Sequence, residues 1–133
     1  MREMLFRGKT TPKEIGEFNN TWVYGDLIKS KDKYYIHPQS NAVTIDNELG
    51  KIIVMHEVIP ESIGQYTGLK DCDDRKIFEG DILESPVKRV GQKFGNLIAI
   101  FDMRQCKFLA LYAGECRYVG NAYDNPELLE GVK

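Results

Sequence analysis

The chain has 133 residues, the usual length of one domain, and 42% of them are hydrophobic while 29% are charged. Its 18 Lys and Arg residues against 20 Asp and Glu residues give a net charge of -2, so it lacks the basic surplus of a protein that binds nucleic acid mainly through phosphates. This composition argues against a disordered or membrane-embedded chain and predicts one main core.

The sequence carries no sign of a membrane span or a secretion signal. No stretch approaches the roughly 18 consecutive apolar residues of a membrane span, and residues 1–9 are too charged for a signal peptide. An odd number of cysteines favours a reducing compartment over a disulfide framework; they are Cys72, Cys106 and Cys116. We therefore expect a cytoplasmic protein without a membrane partner.

Short segments rich in Val, Ile, Tyr and Phe alternate with Gly and Pro, and no helical period persists beyond about two turns. This pattern predicts a mainly β chain. The predicted strands of the N-terminal part are residues 4–6, 22–29, 33–36 and 52–59. Residues 8–20 are predicted to form an exposed, flexible loop.

The C-terminal part reads as successive hairpins, with predicted strands at residues 82–88, 96–103, 107–112 and 117–122. The alternation of Leu97, Ala99 and Phe101 places these three side chains on one buried face. Prolines followed by glutamates predict short helical turns at residues 60–63 and from Pro126 onward. The fold class is therefore mainly β, with α+β as the alternative: a small SH3-like barrel or a curled antiparallel sheet, with an N-terminal β subdomain and short helical turns.

We expect residues 1–133 to form a single domain, which could be subdivided into an N-terminal β segment, residues 1–60, and a barrel-like part, residues 61–133. Its aromatic residues, seven Tyr, six Phe and one Trp, are spread along the predicted strands rather than clustered. Aromatic side chains on the outer face of a small sheet mark a surface that binds a second copy of the chain or another molecule.

No catalytic residue, cofactor site or metal site is predicted. The potential soft ligands, namely His37, His56 and the three cysteines, lack zinc-site spacing, and nothing local activates a thiol. Five carboxylates lie within eleven residues, but they lack the ligand order of a calcium loop and suit tight turns equally well; they are Asp71, Asp73, Asp74, Glu79 and Asp81. We therefore expect a protein that is not an enzyme, with metal-dependent hydrolysis at Asp71, Glu79 and Asp81 as an alternative.

A second alternative is binding of nucleic acid by the barrel, an analogy of fold only. It depends on four basic residues that could line one loop edge: Lys88, Arg89, Lys93 and Arg104.

Three blocks of the sequence resemble one known family. Residues 64–71, GQYTGLKD, followed by residues 77–82, IFEGDI, strongly resemble the signature of the YopX family of bacteriophage and prophage proteins. The opening MREMLFRGK with residues 22–25, WVYG, looks like the start of that family, and residues 119–129, VGNAYDNPELL, are similar to its usual ending. The resemblance therefore spans nearly the whole chain in order.

The signature itself reads as scaffold or interface. Gly64, Gly68 and Gly80 permit tight backbone passages, while acidic side chains can accept backbone N–H bonds at turns. The residues singled out are Gly64, Gln65, Tyr66, Thr67, Gly68, Leu69, Asp71, Phe78, Glu79, Gly80 and Asp81. Members of the family commonly have an Asn-Gly turn where this chain has Asp73-Asp74, so this hairpin is expected to be looser or differently shaped.

The resemblance implies a phage- or prophage-encoded accessory protein of the bacterial cytoplasm, from a family without an established activity whose members are expected to form homo-oligomers. Our leading hypothesis is a non-enzymatic, oligomeric module that binds a phage or host protein.

Overall fold

A computed structural model describes residues 4–12, 19–38, 44–47, 50–53, 55–86, 97–105 and 113–131. Strands dominate these residues, and every paired strand runs antiparallel to its neighbour, which confirms the β-rich prediction. The strands are β1 (Phe6–Lys9), β2 (Trp22–Ser30), β3 (Lys33–Pro38), β4 (Thr44–Asn47), β5 (Gly50–Ile53), β6 (His56–Val58), β7 (Gly64–Lys70), β8 (Lys76–Phe78), β9 (Asp81–Glu84), β10 (Leu97–Ala99) and β11 (Arg117–Asn121).

The chain divides into two compact units, of which the N-terminal one is Met4–Gln65. Its main sheet has the strand order β6-β3-β2-β1, and the first two residues of β7 pair with β1. The inner face of this sheet buries Val23, Ile36 and Val58, because alternate residues of a strand point to the same face. Strands β4 and β5 form a separate two-stranded sheet.

The N-terminal sheet curls because two glycines permit close backbone passages. The end of β1 bonds to β6, where the Ile59 amide donates to the Lys9 carbonyl at 2.8 Å. A Cβ on Gly8 would lie 2.9 Å from Cβ of Val58, and one on Gly25 would overlap the backbone carbonyl of His37. The sheets are curled rather than closed into a barrel, so the curled alternative is confirmed and the SH3-like barrel is not shown.

Two buried hydroxyl groups bond to backbone atoms in the N-terminal unit. The Ser62 hydroxyl accepts a bond from the Lys9 amide at 2.7 Å and donates one to the Ile59 carbonyl at 2.6 Å. The Thr10 hydroxyl accepts a bond from the Thr21 amide at 2.8 Å, and Thr10 is fully buried. The prediction of an exposed loop from residue 8 is therefore wrong at its start, because this segment is paired with its neighbours; residues 13–18 lie outside the described residues.

The C-terminal unit runs from Tyr66 onward. Strands β7 and β8 form an irregular hairpin, and β10-β9-β11 form a three-stranded sheet. Strand β9 is buried on both faces, since Leu83 lies in one apolar cluster and Ile82 in another. The first cluster holds Ile77, Leu83, Ile100, Ala113 and Cys116, and the second holds Ile82, Leu97 and Ala99.

Several predicted boundaries differ from the observed ones. Leu97 and Ala99 share one buried cluster as predicted, but β10 ends at Ala99, and Phe101 is 65% exposed in the turn that follows. The predicted strand 52–59 is broken, because β5 ends at Ile53 and β6 starts at His56. The predicted strand 107–112 lies outside the described residues.

Short 3-10 turns occur at Pro60–Ser62 and Pro126–Gly131, where prolines predicted them. The latter, six residues long, is the longest helical segment in the described ranges, and none of the helices described could cross a membrane.

Candidate functional site

The signature segment forms β7, the turn at residues 71–75, β8 and β9. Gly68 has φ 88° at the irregularity between Tyr66 and Lys70, and Gly80 has φ 95° in the turn before β9. Both values lie in the region where side chains are disfavoured, so these two positions require glycine. The rings of Tyr66 and Phe78 pack with centroids 5.6 Å apart and hold the hairpin closed.

The Thr67 hydroxyl also bonds within this hairpin, whereas Gln65 and Gly64 make contacts in the N-terminal unit. The Thr67 hydroxyl is buried, donates a hydrogen bond to the Ile77 carbonyl at 2.8 Å and accepts one from the Leu69 amide at 3.2 Å. Gln65 donates from Nε2 to the Met4 sulfur at 3.5 Å within the N-terminal unit, where Gly64 pairs with Arg7. These contacts are scaffold contacts.

Asp71 organises the turn that follows β7. Its side chain is buried, and Oδ1 accepts the backbone amides of Asp73 and Arg75, both at 2.9 Å. Its other oxygen, Oδ2, accepts the amide of Tyr118 on β11 at 3.0 Å. One carboxylate therefore shapes the turn and fixes it to β11.

The backbone is strained at Asp73-Asp74, where members of the resembled family commonly have an Asn-Gly turn. Asp74 has φ 64°, in the left-handed region that glycine adopts freely, whereas Asp73 does not. The turn is nevertheless regular, since the Asp71 amide donates to the Arg75 carbonyl at 2.9 Å and the Asp74 amide donates to the Asp71 carbonyl at 3.0 Å.

The alternative metal site at Asp71, Glu79 and Asp81 is not assembled. Asp81 is 1% exposed, and its Oδ2 accepts the Phe78 amide at 2.8 Å. Among the described residues, no three His, Cys, Asp or Glu side chains lie close enough together to hold a metal ion. The Asp71 and Asp81 carboxylates instead bind backbone amides.

The surface beside the Asp71 turn presents a stacked pair of side chains. The guanidinium carbon of Arg75 lies 3.7 Å from the centre of the Tyr118 ring, within the range of a strong cation–π contact. Next to Tyr118, the exposed Arg117 forms an ion pair with the largely buried Glu84. The hydrogen bond and charge of Glu84 raise the pKa of Arg117 above its ordinary value.

Two depressions adjoin at Arg117. The larger has a volume of 490 Å³ and is lined by Asp71, Asp73, Arg75, Arg117, Tyr118 and Val119. The smaller has a volume of 280 Å³ and is lined by Cys72, Glu84, Ser85, Pro86, Glu115 and Arg117. We call the larger one the Arg75 groove.

Two cysteines lie beside these depressions. The Cys72 amide donates to the Cys116 carbonyl at 2.8 Å; Cys72 is exposed and Cys116 is buried. Desolvation raises the pKa of both thiols, and the carboxylates of Asp73 and Asp71 raise that of Cys72 further. Both thiols are therefore protonated at neutral pH. Cys106 lies outside the described residues.

Of the four basic residues in the nucleic-acid hypothesis, the structure describes only Arg104. It is exposed and pairs with Asp102 at 2.9 Å, a contact that lowers the pKa of Asp102. Lys88, Arg89 and Lys93 lie outside the described residues, so the predicted basic edge is not tested.

Sequence reasoning missed the two arginines of the groove. Arg75 and Arg117 meet Tyr118 only because the turn at residues 71–75 bonds to β11, and no local pattern indicates that contact. The nearest signal was Asp71, whose carboxylate holds the two segments together.

A protein-family model described as YopX protein matches residues 15–130 of the chain. The match covers most of the sequence and includes the Asp71 turn and β11. No curated protein shows significant similarity to the chain.

Proposed function

The chain belongs to the YopX family, a phage-type family of unestablished function, and on that premise we propose that it is an accessory protein that binds a protein partner and catalyses no reaction. The partner is a phage or host protein in the bacterial cytoplasm, and the chain also associates with itself. The observation that carries this proposal is the stack of the exposed Arg75 on the half-buried Tyr118 ring beside a groove.

The stack has the composition and the rigidity of a protein-binding surface. Arg and Tyr are enriched among the residues that contribute most to the affinity of protein interfaces. Here the backbone of both residues is fixed by the Asp71 carboxylate, which accepts their amides. A surface that is ordered before binding loses less conformational entropy on association, so it gains affinity.

Two observations support a role without catalysis. The buried carboxylates of Asp71 and Asp81 bind backbone amides, whereas a metal-dependent hydrolase needs such oxygens on its cation. The raised pKa of the Cys72 thiol disfavours the thiolate that nucleophilic catalysis requires.

Self-association is supported by large hydrophobic side chains at the surface. The set has three members in the N-terminal unit and two in the C-terminal unit. Its members are Met4, Tyr24, Met55, Phe101 and Tyr123, with exposures between 38% and 65%. Light scattering on a size-exclusion column should give a mass of at least two chains at micromolar concentration, and a monomer there would contradict self-association.

Site-specific photocrosslinking tests the partner. Asp73 lines the Arg75 groove and is exposed, so benzoylphenylalanine placed there should form a discrete adduct in bacteria that carry the phage or prophage. The matched control is the same substitution at the exposed Asp32, in the turn between β2 and β3, which should give no adduct.

The variant Arg75→Ala removes the stack and should reduce the adduct from position 73 several-fold, because the side chain lies on the surface and contributes to binding rather than to folding. Mass spectrometry then separates an adduct with another protein from one with a second copy. No adduct from position 73, or equal adducts from positions 73 and 32, would show that the groove is not the binding surface.

A further inference from the structure

The proposed function does not say which chemical groups of the partner are recognised. The charged residues of the Arg75 groove indicate which groups can bind there. Resting on that function, we infer that the Arg75 groove binds a peptide segment of the partner that presents a single carboxylate side chain to the guanidinium of Arg75, beside an apolar side chain on Tyr118 and Val119.

Of the two arginines that line the groove, Arg75 is the one without an ion pair among the described residues. Arg117 is paired with Glu84 through a side-chain hydrogen bond. In the part of the chain that the structure describes, the guanidinium of Arg75 contacts the Tyr118 ring and makes no ion pair. Because the stack occupies one face of the guanidinium, its N–H groups remain directed along the edge, where a carboxylate can accept two of them.

Neither acidic residue of the groove already occupies the place of a partner carboxylate on Arg75. Both oxygens of the Asp71 carboxylate are bonded to backbone amides. Asp73 is exposed, and within the described residues no ion pair joins it to Arg75. A partner carboxylate on Arg75 would therefore form a new charge-assisted pair instead of displacing an existing one.

The surrounding charges favour a single carboxylate over a polyanion. Asp73 lines the groove, and Glu84 and Glu115 line the adjoining depression. A nucleic-acid strand would bring successive phosphates within about one Debye length, ~8–10 Å, of these carboxylates. A peptide with one acidic residue brings one negative charge instead of several, so it meets less of that repulsion, and its apolar neighbour also buries surface on Tyr118 and Val119.

Nuclear magnetic resonance on the ¹⁵N-labelled full chain tests the inference. The probes are the capped tetrapeptide acetyl-Ala-Glu-Leu-Ala-amide and its Gln counterpart, titrated separately. The Glu peptide should shift the Arg75 Nε–Hε resonance and the amides of Tyr118 and Val119 saturably, and the Gln peptide should bind about fivefold to tenfold more weakly because it lacks the charge.

The variant Arg75→Gln should abolish the preference for Glu over Gln. Its matched control is Arg104→Gln, which removes an exposed arginine already paired with Asp102 and should keep the preference. A third titration uses a single-stranded oligodeoxynucleotide, which should not shift the groove resonances saturably.

Equal affinity for the two peptides, no saturable shift with either, or stronger binding of the oligonucleotide at the same resonances would each overturn the inference. Its failure is distinguishable from that of the proposed function. If position 73 still crosslinks to a protein while the two peptides bind alike, the partner uses another chemistry; if the adduct is also missing, the groove is not a protein-binding surface.

Discussion

The two units of the chain satisfy their buried backbone groups by different means. The N-terminal unit pairs longer strands, up to nine residues in β2, and uses neutral hydroxyls where pairing ends, at Thr10 and Ser62. The sheet of the C-terminal unit has strands of three to five residues, and besides the Thr67 hydroxyl it is carboxylate and amide side chains that bond the turns between elements. The polar residues of the C-terminal unit are therefore part of its framework.

Asparagines show the same arrangement near the end of the chain. The Asn121 side-chain oxygen accepts the amides of Tyr123 and Asp124, at 3.0 and 2.8 Å. The Asn125 side-chain oxygen accepts the Asn121 amide at 3.1 Å. Single polar substitutions should therefore be costly in the C-terminal unit. Added volume should be costly at crowded glycines of either unit, and most at Gly25, where the new Cβ would meet backbone atoms.

The largest effect is expected at Gly25. In Gly25→Ala the new Cβ would overlap the His37 carbonyl, so β2 and β3 must separate locally. We expect the free energy of unfolding to fall by about 3 kcal/mol or more, because the neighbouring atoms are backbone and cannot turn away. Urea unfolding followed by fluorescence of Trp22, the only tryptophan, measures the N-terminal unit directly.

The control for that glycine lies in the other unit. A Cβ on Gly114 would meet nothing within 4 Å, so Gly114→Ala should leave the free energy of unfolding within about 0.5 kcal/mol or raise it slightly. Equal losses in the two variants would show that contact of the added Cβ with its neighbours does not determine the cost.

The second effect is expected at Asp71. Asp71→Asn replaces one acceptor oxygen by an NH₂ group and removes the charge, so at least one buried backbone amide loses its partner. The free energy of unfolding should fall by about 3 kcal/mol, since a hydrogen bond to a charged group contributes about 1.5–3 kcal/mol and an unsatisfied buried group costs about 1–3 kcal/mol. Hydrogen exchange at the Tyr118 and Arg75 amides should accelerate in the same variant.

Two other variants provide stability changes with which the loss in Asp71→Asn can be compared. Asp73→Asn changes an exposed neighbour in the same turn and should alter stability by less than about 0.5 kcal/mol. Ser62→Ala removes a hydroxyl that bonds to two backbone groups of the N-terminal unit, and about 1–2 kcal/mol is expected. If Ser62→Ala costs as much as Asp71→Asn, then the charge of the acceptor makes no difference.

The difference between local and long-range bonds explains which parts of the fold and of the site could be predicted from the sequence. Strands β2 and β3 were predicted within two residues of their ends, because alternation along a strand is a local pattern. The bonds from Asp71 to the amides of Asp73 and Arg75 are local turn chemistry, which the sequence indicates. Its bond to Tyr118 spans 47 positions and depends on how the hairpin meets β11, so the groove could not be predicted.

A smaller effect of opposite sign is expected at Asp74. Its φ of 64° is disfavoured for a residue with a Cβ, so Asp74→Gly should raise the free energy of unfolding by about 0.5–1 kcal/mol. The ion pair of Asp74 with Lys70 offsets little, because both side chains are largely exposed. Asp73→Gly, at a position without a positive φ, should not stabilise the chain, because a new glycine only adds freedom to the unfolded state. Equal gains from both variants would show that the positive φ of Asp74 is not the cause.

The smallest effect is expected on the reactivity of the Cys72 thiol. It tests whether Asp73 and Asp71 have different roles in the turn. Desolvation raises the pKa of this thiol, and the Asp73 and Asp71 carboxylates raise it further. Because alkylation needs the thiolate, the Cys72 reaction with iodoacetamide at pH 8 should be slower than that of the unfolded chain. Asp73→Asn should speed this reaction about twofold and move the midpoint of its pH profile down.

Mass spectrometry distinguishes Cys72 from the other two cysteines, and Asp32→Asn is the control that should leave the rate unchanged. An unchanged midpoint in Asp73→Asn would mean that desolvation and the Asp71 carboxylate raise the pKa without a contribution from Asp73. A lowered midpoint with unchanged stability would show that Asp73 contributes only its field to this surface, while Asp71 holds the turn together.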